Sequence, residues 1–267
     1  MGTMLQAAKL TAADFGGPDL EGCNEHLVVS RPDVVRGVHE AYFAAGADIV
    51  ETNTFGGTPL VLGEYGLSER AVELNRIAAQ LAREAAAKFP GPRFVAGSMG
   101  PTTKAISVTG GVTFPQLVDN YRVQATGLLE GGADTLLVET AQDTRNVKAA
   151  IIGIRDAERA VGRRVPLMLS ATIEPMGTML GGQTIDAFYA SIEHAGAATV
   201  GLNCATGPEF MADRLRTLAS LASCAVTCYP NAGLPDENGR YGETPDMIAS
   251  ALARFVEQGW INIIGGC

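Results

Sequence analysis

Helical patterns and short apolar runs alternate along nearly the whole chain, and this alternation limits the possible folds more than any other feature. The segment Gly46-Ala-Asp-Ile-Val-Glu-Thr is nearly repeated as Gly132-Ala-Asp-Thr-Leu-Leu-Val-Glu-Thr. Each copy has a glycine that ends a helix, an apolar strand, and a Glu-Thr pair at the far end of that strand. The two segments therefore indicate two copies of one helix-to-strand unit.

The same pattern predicts helices and strands over the rest of the chain. The first helix is expected to begin at a capping box, Ser30 to Asp33, with Pro32 in its first turn, and to run to about Ala45. Strands are predicted at 47–55, 93–97, 133–140, 166–171, 198–203, 224–229 and 261–264. The later helices are predicted at 68–88, 114–130, 145–161, 186–194, 208–221 and 245–258.

Seven apolar strands, each preceded by a helix, predict an α/β fold with a parallel sheet covered by helices. Seven is one fewer than a (β/α)8 TIM-type barrel requires, so we expect such a barrel with its first strand clipped or degenerate. A doubly wound sheet is the competing fold, but the sequence has neither G-x-G-x-x-G after an early strand nor a P-loop. No linker-like segment divides the chain, which predicts one domain over residues 1–267.

Charge and composition argue against several classes of function. The formal net charge is −9 and no Lys/Arg cluster is apparent, which disfavours a nucleic-acid-binding surface. No apolar run is long enough for a membrane span, and the amino-terminal segment lacks the pattern of a secretory signal. The five cysteines, at positions 23, 204, 224, 228 and 267, are odd in number and widely spaced. They fit a reducing cytoplasm better than a disulfide framework.

The carboxyl ends of the strands form the active site in such a barrel, so the residues at those ends are candidates for function. Two carboxylates, two amides and two thiols are expected there, namely Glu51, Glu139, Asn203, Asn231, Cys204 and Cys267. No histidine or lysine ends a strand, which leaves histidine-based acid–base chemistry and a Schiff-base aldolase poorly supported.

Each of these residues also has a purely structural interpretation. A single acid at a strand end, such as Glu51 or Glu139, is as often a buried structural carboxylate, hydrogen-bonded to backbone N–H groups, as it is a functional residue. Asn203 and Asn231 are residue types typical of turns, and a single cysteine is most often a packing residue. Packing is the role expected of the three remaining cysteines, Cys23, Cys224 and Cys228.

Two cysteines at one end of a sheet suggest a metal site. Catalytic zinc takes three protein ligands and leaves one position for the substrate. An all-sulfur site makes zinc a weak Lewis acid toward carbonyls, yet it still binds and deprotonates a thiol at neutral pH. This chemistry favours alkyl transfer to sulfur, although Cys204 and Cys267 supply only two of the three ligands.

The segments around these cysteines resemble the metal-binding motifs of the homocysteine S-methyltransferase family. They are Gly201-Leu-Asn-Cys204-Ala-Thr-Gly-Pro208 and the terminal Gly265-Gly-Cys267. The resemblance also includes MGTMLQ, AYFAAGADIVETNTF, VAGSMGPT, GGADTLLVET and YPNAGLP, and so covers essentially the whole chain. These motifs are specific in combination, and they are most similar to the homocysteine-binding module of the cobalamin-dependent members.

The resemblance implies zinc-dependent activation of the homocysteine thiol for methyl transfer, with methionine as the product. Cys204 and Cys267 match zinc ligands and so would be both catalytic and metal-binding. Glu139 matches a carboxylate that receives the ammonium group of L-homocysteine, and Asn231 matches an amide beside the metal. Weaker matches to the substrate pocket are Thr52, Asn53, Ser98 and Thr102.

The resemblance further implies a longer protein. The methyl donor would be methylcobalamin on another module, and cobalamin- and folate-binding modules would belong to the same chain. The barrel looks trimmed at both ends, because the family's first strand is absent and Cys267 is the first of an adjacent cysteine pair in the family. We therefore expect this form to hold zinc weakly or not at all.

Three alternatives stay open at this point. The first is a stand-alone homocysteine methyltransferase that uses betaine or a sulfonium donor on the same barrel. The second is a non-catalytic fragment that holds the substrate or docks to a partner without turnover. The third, an unrelated barrel lyase, is disfavoured because no lysine or histidine ends a strand.

Overall fold

The computed structural model describes residues 1–234, 237 and 240–267. Its strands pair in chain order within one sheet, and the register is parallel from β1 to β2 and from β4 through β7. The strands are β1 Ile49–Glu51, β2 Phe94–Met99, β3 Thr135–Ala141, β4 Leu167–Ala171, β5 Thr199–Asn203, β6 Ala225–Tyr229 and β7 Ile263–Ile264. The predicted α/β architecture with seven ordered strands is confirmed.

The long helices agree with the predicted positions to within a few residues. They are α4 Pro32–Ala44, α6 Ala71–Ala86, α7 Phe114–Glu130, α8 Thr144–Val161, α9 Ile185–Ile192, α10 Pro208–Leu221 and α11 Pro245–Glu257. Four short helices were not predicted, α1 Gly2–Ala7, α2 Ala12–Phe15, α3 Leu27–Ser30 and α5 Pro59–Leu62. Within the described residues, no helix combines the length and apolar character needed to cross a membrane.

The capping box predicted at Ser30 is wrong. Helix α4 begins at Pro32 with Arg31 as its N-cap, and no side chain caps it. Ser30 is the last residue of α3, and its hydroxyl donates to the carbonyl oxygen of His26 at 3.3 Å. Because two helices abut here, the serine satisfies a carbonyl of the preceding turn instead of an N–H group of the following one.

The chain divides into two compact units, and each is described by itself. Unit 1 comprises Met1–Thr103, Val112–Leu137 and Ala149–Pro166. Unit 2 comprises Lys104–Gly111, Val138–Lys148 and Leu167–Cys267. The single domain predicted over residues 1–267 stays a prediction.

Unit 1 is organised by helices that bury one apolar face. In α6, Leu74, Ala78, Leu81 and Ala85 recur every three or four residues, and all four are buried. Helix α7 packs closely against α6 because Gly127 has no side chain. A Cβ there would lie 2.5 Å from the carbonyl oxygen of Val72.

The prediction that basic residues do not cluster is wrong at one place in unit 1. Four arginines and Glu158 line an open cavity of about 310 Å³ at the end of α8; the arginines are Arg155, Arg159, Arg163 and Arg164. Arg163 donates to the carbonyl oxygens of Leu129 and Ala133 at 2.9 and 2.7 Å. Arg155 pairs with Glu158 at 2.7 Å. Arg163 therefore ties the segment that follows α8 to the end of α7, and the charge of Arg155 is neutralised within α8.

Unit 2 contains the parallel strands β4 to β7. The register places Gly201 of β5 opposite Thr227 of β6, and Cys228 of β6 opposite Ile264 of β7. Parallel strands present their carboxyl ends at the same edge of a sheet. The residues that follow β5, β6 and β7 therefore meet at one edge of this unit.

Candidate active site

Cys204 and Cys267 lie side by side in unit 2, just beyond β5 and β7. Their Cα atoms are 5.7 Å apart and their sulfur atoms are joined as a disulfide. The N–H of Cys204 donates to the carbonyl oxygen of Tyr229 at 3.0 Å, and the N–H of Cys267 donates to that of Pro230 at 2.9 Å. The residues that end β6 thus hold both cysteines, at a spacing at which two thiols can bond to each other or share a soft metal ion.

The backbone around Cys204 adopts conformations that are uncommon for residues with side chains. Cys204 has φ 59° and Ala205 has φ 58°, both in the left-handed region. Thr140, which faces Cys204, has φ 54°, although β-branched residues are especially disfavoured there. Among the described residues, Lys9 is the only other non-glycine residue with a positive φ. Such conformations concentrate at functional sites, where the surrounding structure holds them in place.

Asn203 connects the ends of three strands. Its Oδ1 accepts from the backbone N–H of Thr140 at 2.9 Å and from the hydroxyl of Ser170 at 2.6 Å. Its Nδ2 donates to Thr140 Oγ1 at 2.8 Å and to Cys204 Sγ at 3.1 Å. The hydroxyl of Thr172 donates to the backbone carbonyl of Asn203 at 3.0 Å. All four hydrogen-bonding positions of the amide are therefore used, and one of them is directed at a cysteine sulfur.

The glycine of the Gly-Leu-Asn-Cys motif has a packing role. A Cβ at Gly201 would overlap the hydroxyl and carbonyl oxygens of Thr227 on β6. A side chain at this position would therefore push β5 away from β6. Because the same two strands bring Cys204 to Tyr229, Gly201 contributes to the placement of the cysteine.

The two other unit 2 candidates lie next to residues that contact the cysteines. Asn231 is half-buried and follows Pro230, and its N–H donates to the carbonyl oxygen of Thr206 at 3.0 Å. Glu139 is buried in β3, with 7% of its surface exposed, and it immediately precedes Thr140. The hydroxyl of Thr140 is 3.8 Å from Cys204 Sγ. The roles assigned to Glu139 and Asn231 stay predictions.

The unit 1 candidate Thr52 uses its hydroxyl within the protein framework. Thr52 Oγ1 accepts from the N–H of Ser98 at 3.0 Å and lies 2.6 Å from Thr54 Oγ1. Because the Thr54 hydroxyl donates to the carbonyl oxygen of Ser98 at 2.7 Å, the Thr52 hydroxyl donates to Thr54. These bonds tie the segment that follows β1 to the end of β2.

The other unit 1 candidates are buried as well. Asn53, Ser98 and Thr102 are 4%, 2% and 6% exposed. Asn53 Nδ2 donates to the carbonyl oxygen of Asn24 at 2.7 Å, which leaves its amide oxygen for another partner. The structure thus places all three at or beyond the ends of β1 and β2, as expected from the sequence, and their substrate-binding roles stay predictions.

Two carboxylates in unit 1 are held in a weakly solvated environment. Desolvation raises the pKa of Glu51, which ends β1. Desolvation also raises the pKa of Glu25, whose Oε1 accepts from the N–H of Gly56 at 2.7 Å. Glu25 was not predicted, since it lies in a short 3-10 helix with no strand or motif to mark it.

The remaining cysteines have the environments of packing residues. Cys23 and Cys228 are fully buried, and burial raises their pKa values to about 11 and about 12. The Cys228 thiol faces the sulfur of Met211 at 3.8 Å. Cys224 is half-exposed, and desolvation raises its pKa as well. The packing role predicted for Cys23 and Cys228 is confirmed.

The donor atoms near Cys204 and Cys267 suit zinc in type but are incomplete in number. Thiolate sulfur is a preferred zinc ligand, and two thiols are adjacent here. In the part of the chain that the structure describes, no group of three His, Cys, Asp or Glu side chains is placed to hold a metal ion. The described residues therefore provide two of the three protein ligands that catalytic zinc requires.

The comparisons with known proteins assign this chain to a class of methyltransferases. Residues 1–267 match the family profile of homocysteine S-methyltransferase, and the chain belongs to this family. It is 45% identical over 273 residues to a methionine synthase of Mycobacterium tuberculosis and 44% identical to a methionine synthase of Mycobacterium leprae. Each match covers 100% of this chain but only 23% and 22% of the relative, so the chain spans less than a quarter of their length.

Solved structures support the same assignment. The metallated form of the homocysteine methyltransferase MmuM from Escherichia coli has a TM-score of 0.77 and 25% sequence identity. The match covers 100% of this chain and 88% of that chain. The oxidised form of MmuM gives the same TM-score at 24% identity, which indicates a shared fold.

Proposed function

We propose that this chain is the homocysteine-binding part of a zinc-dependent methyltransferase that converts L-homocysteine to methionine. The observation that carries the proposal is the juxtaposition of Cys204 and Cys267 beyond β5 and β7. Membership of the homocysteine S-methyltransferase family supports the substrate and the product.

Cys204 and Cys267 would hold the zinc ion through their thiolates. When bound, zinc would coordinate the homocysteine sulfur and keep it a thiolate at neutral pH. Asn231 adjoins Pro230, whose carbonyl oxygen binds Cys267, and it is the proposed amide neighbour of the metal. A third protein ligand is still needed, since the described residues supply two thiolates.

Glu139 would bind the ammonium group of homocysteine. It is buried, and it stands one residue before Thr140 on the segment that faces Cys204. A buried carboxylate forms a strong charge-assisted hydrogen bond with an ammonium ion. In the transfer, the homocysteine sulfur loses its proton to solvent and forms a bond to the methyl carbon. The donor keeps the electron pair of the bond that breaks.

We infer a TIM-type (β/α)8 barrel as the fold of the module. The chain-order pairing of seven strands and the TM-score of 0.77 with MmuM support this inference. A cytoplasmic location is inferred from the cysteines, since Cys23, Cys224 and Cys228 are free thiols and the one bonded pair, Cys204 and Cys267, is the proposed metal site.

The proposed methyl donor is methylcobalamin on another module of a longer chain. The match covers only 23% of a methionine synthase that is 45% identical to this chain, which supports further modules in a longer chain. The resemblance of the motifs implies that these modules bind cobalamin and folate. A second candidate is direct transfer from betaine or a methylsulfonium compound. Its support is the likeness to MmuM. The match covers 88% of the MmuM chain, so a barrel of this kind makes up most of that enzyme and no large second module accompanies it in that chain.

The test is a donor comparison with matched variants. Reduced protein is supplied with zinc and L-homocysteine together with methylcobalamin, betaine or S-methylmethionine, and methionine is measured by mass spectrometry. We expect product with methylcobalamin when zinc is kept in excess, because two thiolates alone hold it weakly, and much less product from Cys204→Ser. Cys224→Ser is the control, because it removes a thiol that lies outside the pair. Equal methionine from the parent protein and Cys204→Ser with every donor would contradict the proposal.

A further inference from the structure

The cavity at the end of α8 has an excess of positive charge. The charged residues that line it are Arg155, Glu158, Arg159, Arg163 and Arg164. The whole chain has a formal net charge of −9, so these arginines are not part of a generally basic surface. The volume of about 310 Å³ is at the lower end of the range for ligand pockets, which is about 300–1,000 Å³. The cavity therefore has the size and the charge of a site for a small anion.

Arg163 is held in place without losing its charge. Its two Nη atoms donate to the carbonyl oxygens of Leu129 and Ala133 at 2.9 and 2.7 Å. Both acceptors are neutral, whereas a carboxylate partner would cancel the charge. Each Nη atom keeps a second hydrogen and Nε keeps one, so three of the five N–H donors remain for a ligand. Because the guanidinium group is already fixed, it loses little conformational entropy when an anion binds.

Two further arginines of the cavity can also contact a ligand. Arg164 is exposed, and no hydrogen bond or ion pair joins it to the part of the chain that the structure describes. The side chain of Arg159 is 73% exposed and pairs with Asp156. A surface ion pair contributes little to stability, so Arg159 can exchange this partner for a ligand. Arg155 differs from them, because it pairs at 2.7 Å with the buried Glu158.

Stabilisation of α8 does not account for all of this charge. A basic residue in the last turn of a helix interacts favourably with the helix dipole, and Arg159 has this position in α8. The effect falls off beyond the last turn. Arg164 lies three residues past Val161, which ends α8. Its charge is therefore more than the helix requires.

We propose that this cavity binds a small ligand that carries two or more phosphate or carboxylate groups. A planar guanidinium group can donate two parallel hydrogen bonds to either kind of group. Three accessible guanidinium groups at one cavity suit a ligand with more than one such group. The lining residues belong to unit 1, whereas Cys204 and Cys267 belong to unit 2. The site therefore shares no residue with the proposed zinc site, and the inference does not depend on methyl transfer.

Calorimetric titration of the protein with inorganic pyrophosphate, and separately with citrate, tests this inference at low ionic strength. We expect saturable binding with one site per chain. Arg164→Gln should raise Kd about tenfold or more, because it removes a charge-assisted contact. Arg216→Gln is the matched control, since it removes the same charge from an exposed arginine of α10 that does not line the cavity. Its Kd should stay within about twofold of the parent value, because salt screens distant surface charges.

The two anions distinguish the two chemical sources of the ligand. Tighter binding of pyrophosphate would support a ligand with phosphate groups, and tighter binding of citrate would support a polycarboxylate. Saturable binding of neither anion would overturn the proposal. An equal rise in Kd in Arg164→Gln and Arg216→Gln would also overturn it, because the anions would then respond only to net charge.

Melting temperatures separate ligand binding from a structural role of Arg164. In buffer alone, Arg164→Gln should melt within about 2 °C of the parent, because substitutions of exposed residues without a partner change stability little. Added anion should raise the melting temperature of the parent more than that of the variant. A lower melting temperature in buffer together with an unchanged Kd would show that Arg164 only stabilises the fold, and would overturn the proposal. Neither zinc nor homocysteine is present, so failure of the proposed methyl transfer would not imitate failure of this inference.

Discussion

The N–H of Cys267 donates to the carbonyl oxygen of Pro230 at 2.9 Å, which places Cys267 beside the segment that leads into Asn231. Cys204 binds the preceding residue, Tyr229, in the same way at 3.0 Å. Two consecutive carbonyl groups of one segment thus position both thiols. The closeness of the two sulfur atoms follows from the parallel registers of β5, β6 and β7.

The paired thiols predict a specific response to oxidation. Diamide treatment of the reduced protein should join Cys204 and Cys267, because their Cα atoms are 5.7 Å apart, within the range for disulfides. Two thiols lose two protons and two electrons, which diamide takes up. Titration with a thiol reagent after unfolding should show a fall from five thiols to three, since the chain has five cysteines and three lie outside the pair.

The control for this reaction is Cys224→Ser, which should lose two of its four thiols at the parent rate. Cys204→Ser should keep its remaining thiols under the same treatment. Rapid intramolecular oxidation in Cys204→Ser would show that a different pair reacts.

Glu139→Gln should weaken homocysteine binding without removing the metal. Glutamine keeps the shape of the side chain but loses the charge that would face an ammonium group. The lost charge-assisted contact is worth about 1.5–3 kcal/mol, or roughly 10- to 150-fold in Kd. Calorimetry with L-homocysteine at a saturating zinc concentration measures this directly, and the affinity for zinc should not change. Glu130→Gln, an exposed residue at the end of α7, is the control. Unchanged affinity in Glu139→Gln would show that the buried carboxylate is structural.

Much of this fold was predictable because its strands are continuous apolar runs bounded by glycine and polar residues. The positions of all seven strands follow from that pattern, and the carboxyl ends then identify Cys204, Cys267 and Glu139 as candidates. The start of α4 was not predictable in the same way. Ser30 fits a capping motif, but its hydroxyl binds a carbonyl of the preceding helix, a contact that depends on how two helices meet.

The least predictable part of the site is the set of contacts made by its polar side chains. A threonine at a strand end can bind a substrate or can hydrogen-bond to neighbouring strands of its own protein. The sequence does not distinguish the two roles, because the residue type is the same in both. Thr52 uses its hydroxyl between Ser98 and Thr54, and this pairing depends on strand register. The left-handed conformation of Thr140 is likewise invisible in the sequence, because local preference disfavours it. Tertiary hydrogen bonds from Asn203 override that preference.

The burial of His39 predicts that the protein loses stability in mild acid. His39 is 1% exposed on α4, and desolvation lowers its pKa from 6.5 to about 4. Below pH 6.5 the imidazole of His39 becomes protonated in the unfolded chain, whereas in the folded protein it stays neutral down to about pH 4. Protons therefore bind preferentially to the unfolded state, and the free energy of unfolding falls across this interval. Between pH 7 and pH 5 the loss should be about 2 kcal/mol.

Urea unfolding at pH 7 and pH 5 measures this loss, and His39→Leu isolates it from the titration of carboxylates. The leucine variant should lose about 2 kcal/mol less than the parent between the two pH values. An equal pH dependence in parent and variant would show that His39 does not titrate differently on folding.

Gly201→Ala should destabilise unit 2 and displace Cys204 from its partner. An added Cβ would overlap the hydroxyl and carbonyl oxygens of Thr227, and the carbonyl belongs to the backbone of β6, which cannot rotate away. Overpacking of this kind costs about 1–3 kcal/mol and shifts strands locally. Gly37→Ala is the matched control, because its Cβ meets no atom within 4 Å and alanine favours helix α4 by about 0.5–1 kcal/mol. Urea unfolding should therefore move the two variants in opposite directions, and diamide should oxidise the Cys204–Cys267 pair more slowly in Gly201→Ala alone. If the two variants were equally stable, Gly201 would not be the close contact that sets the spacing of β5 and β6.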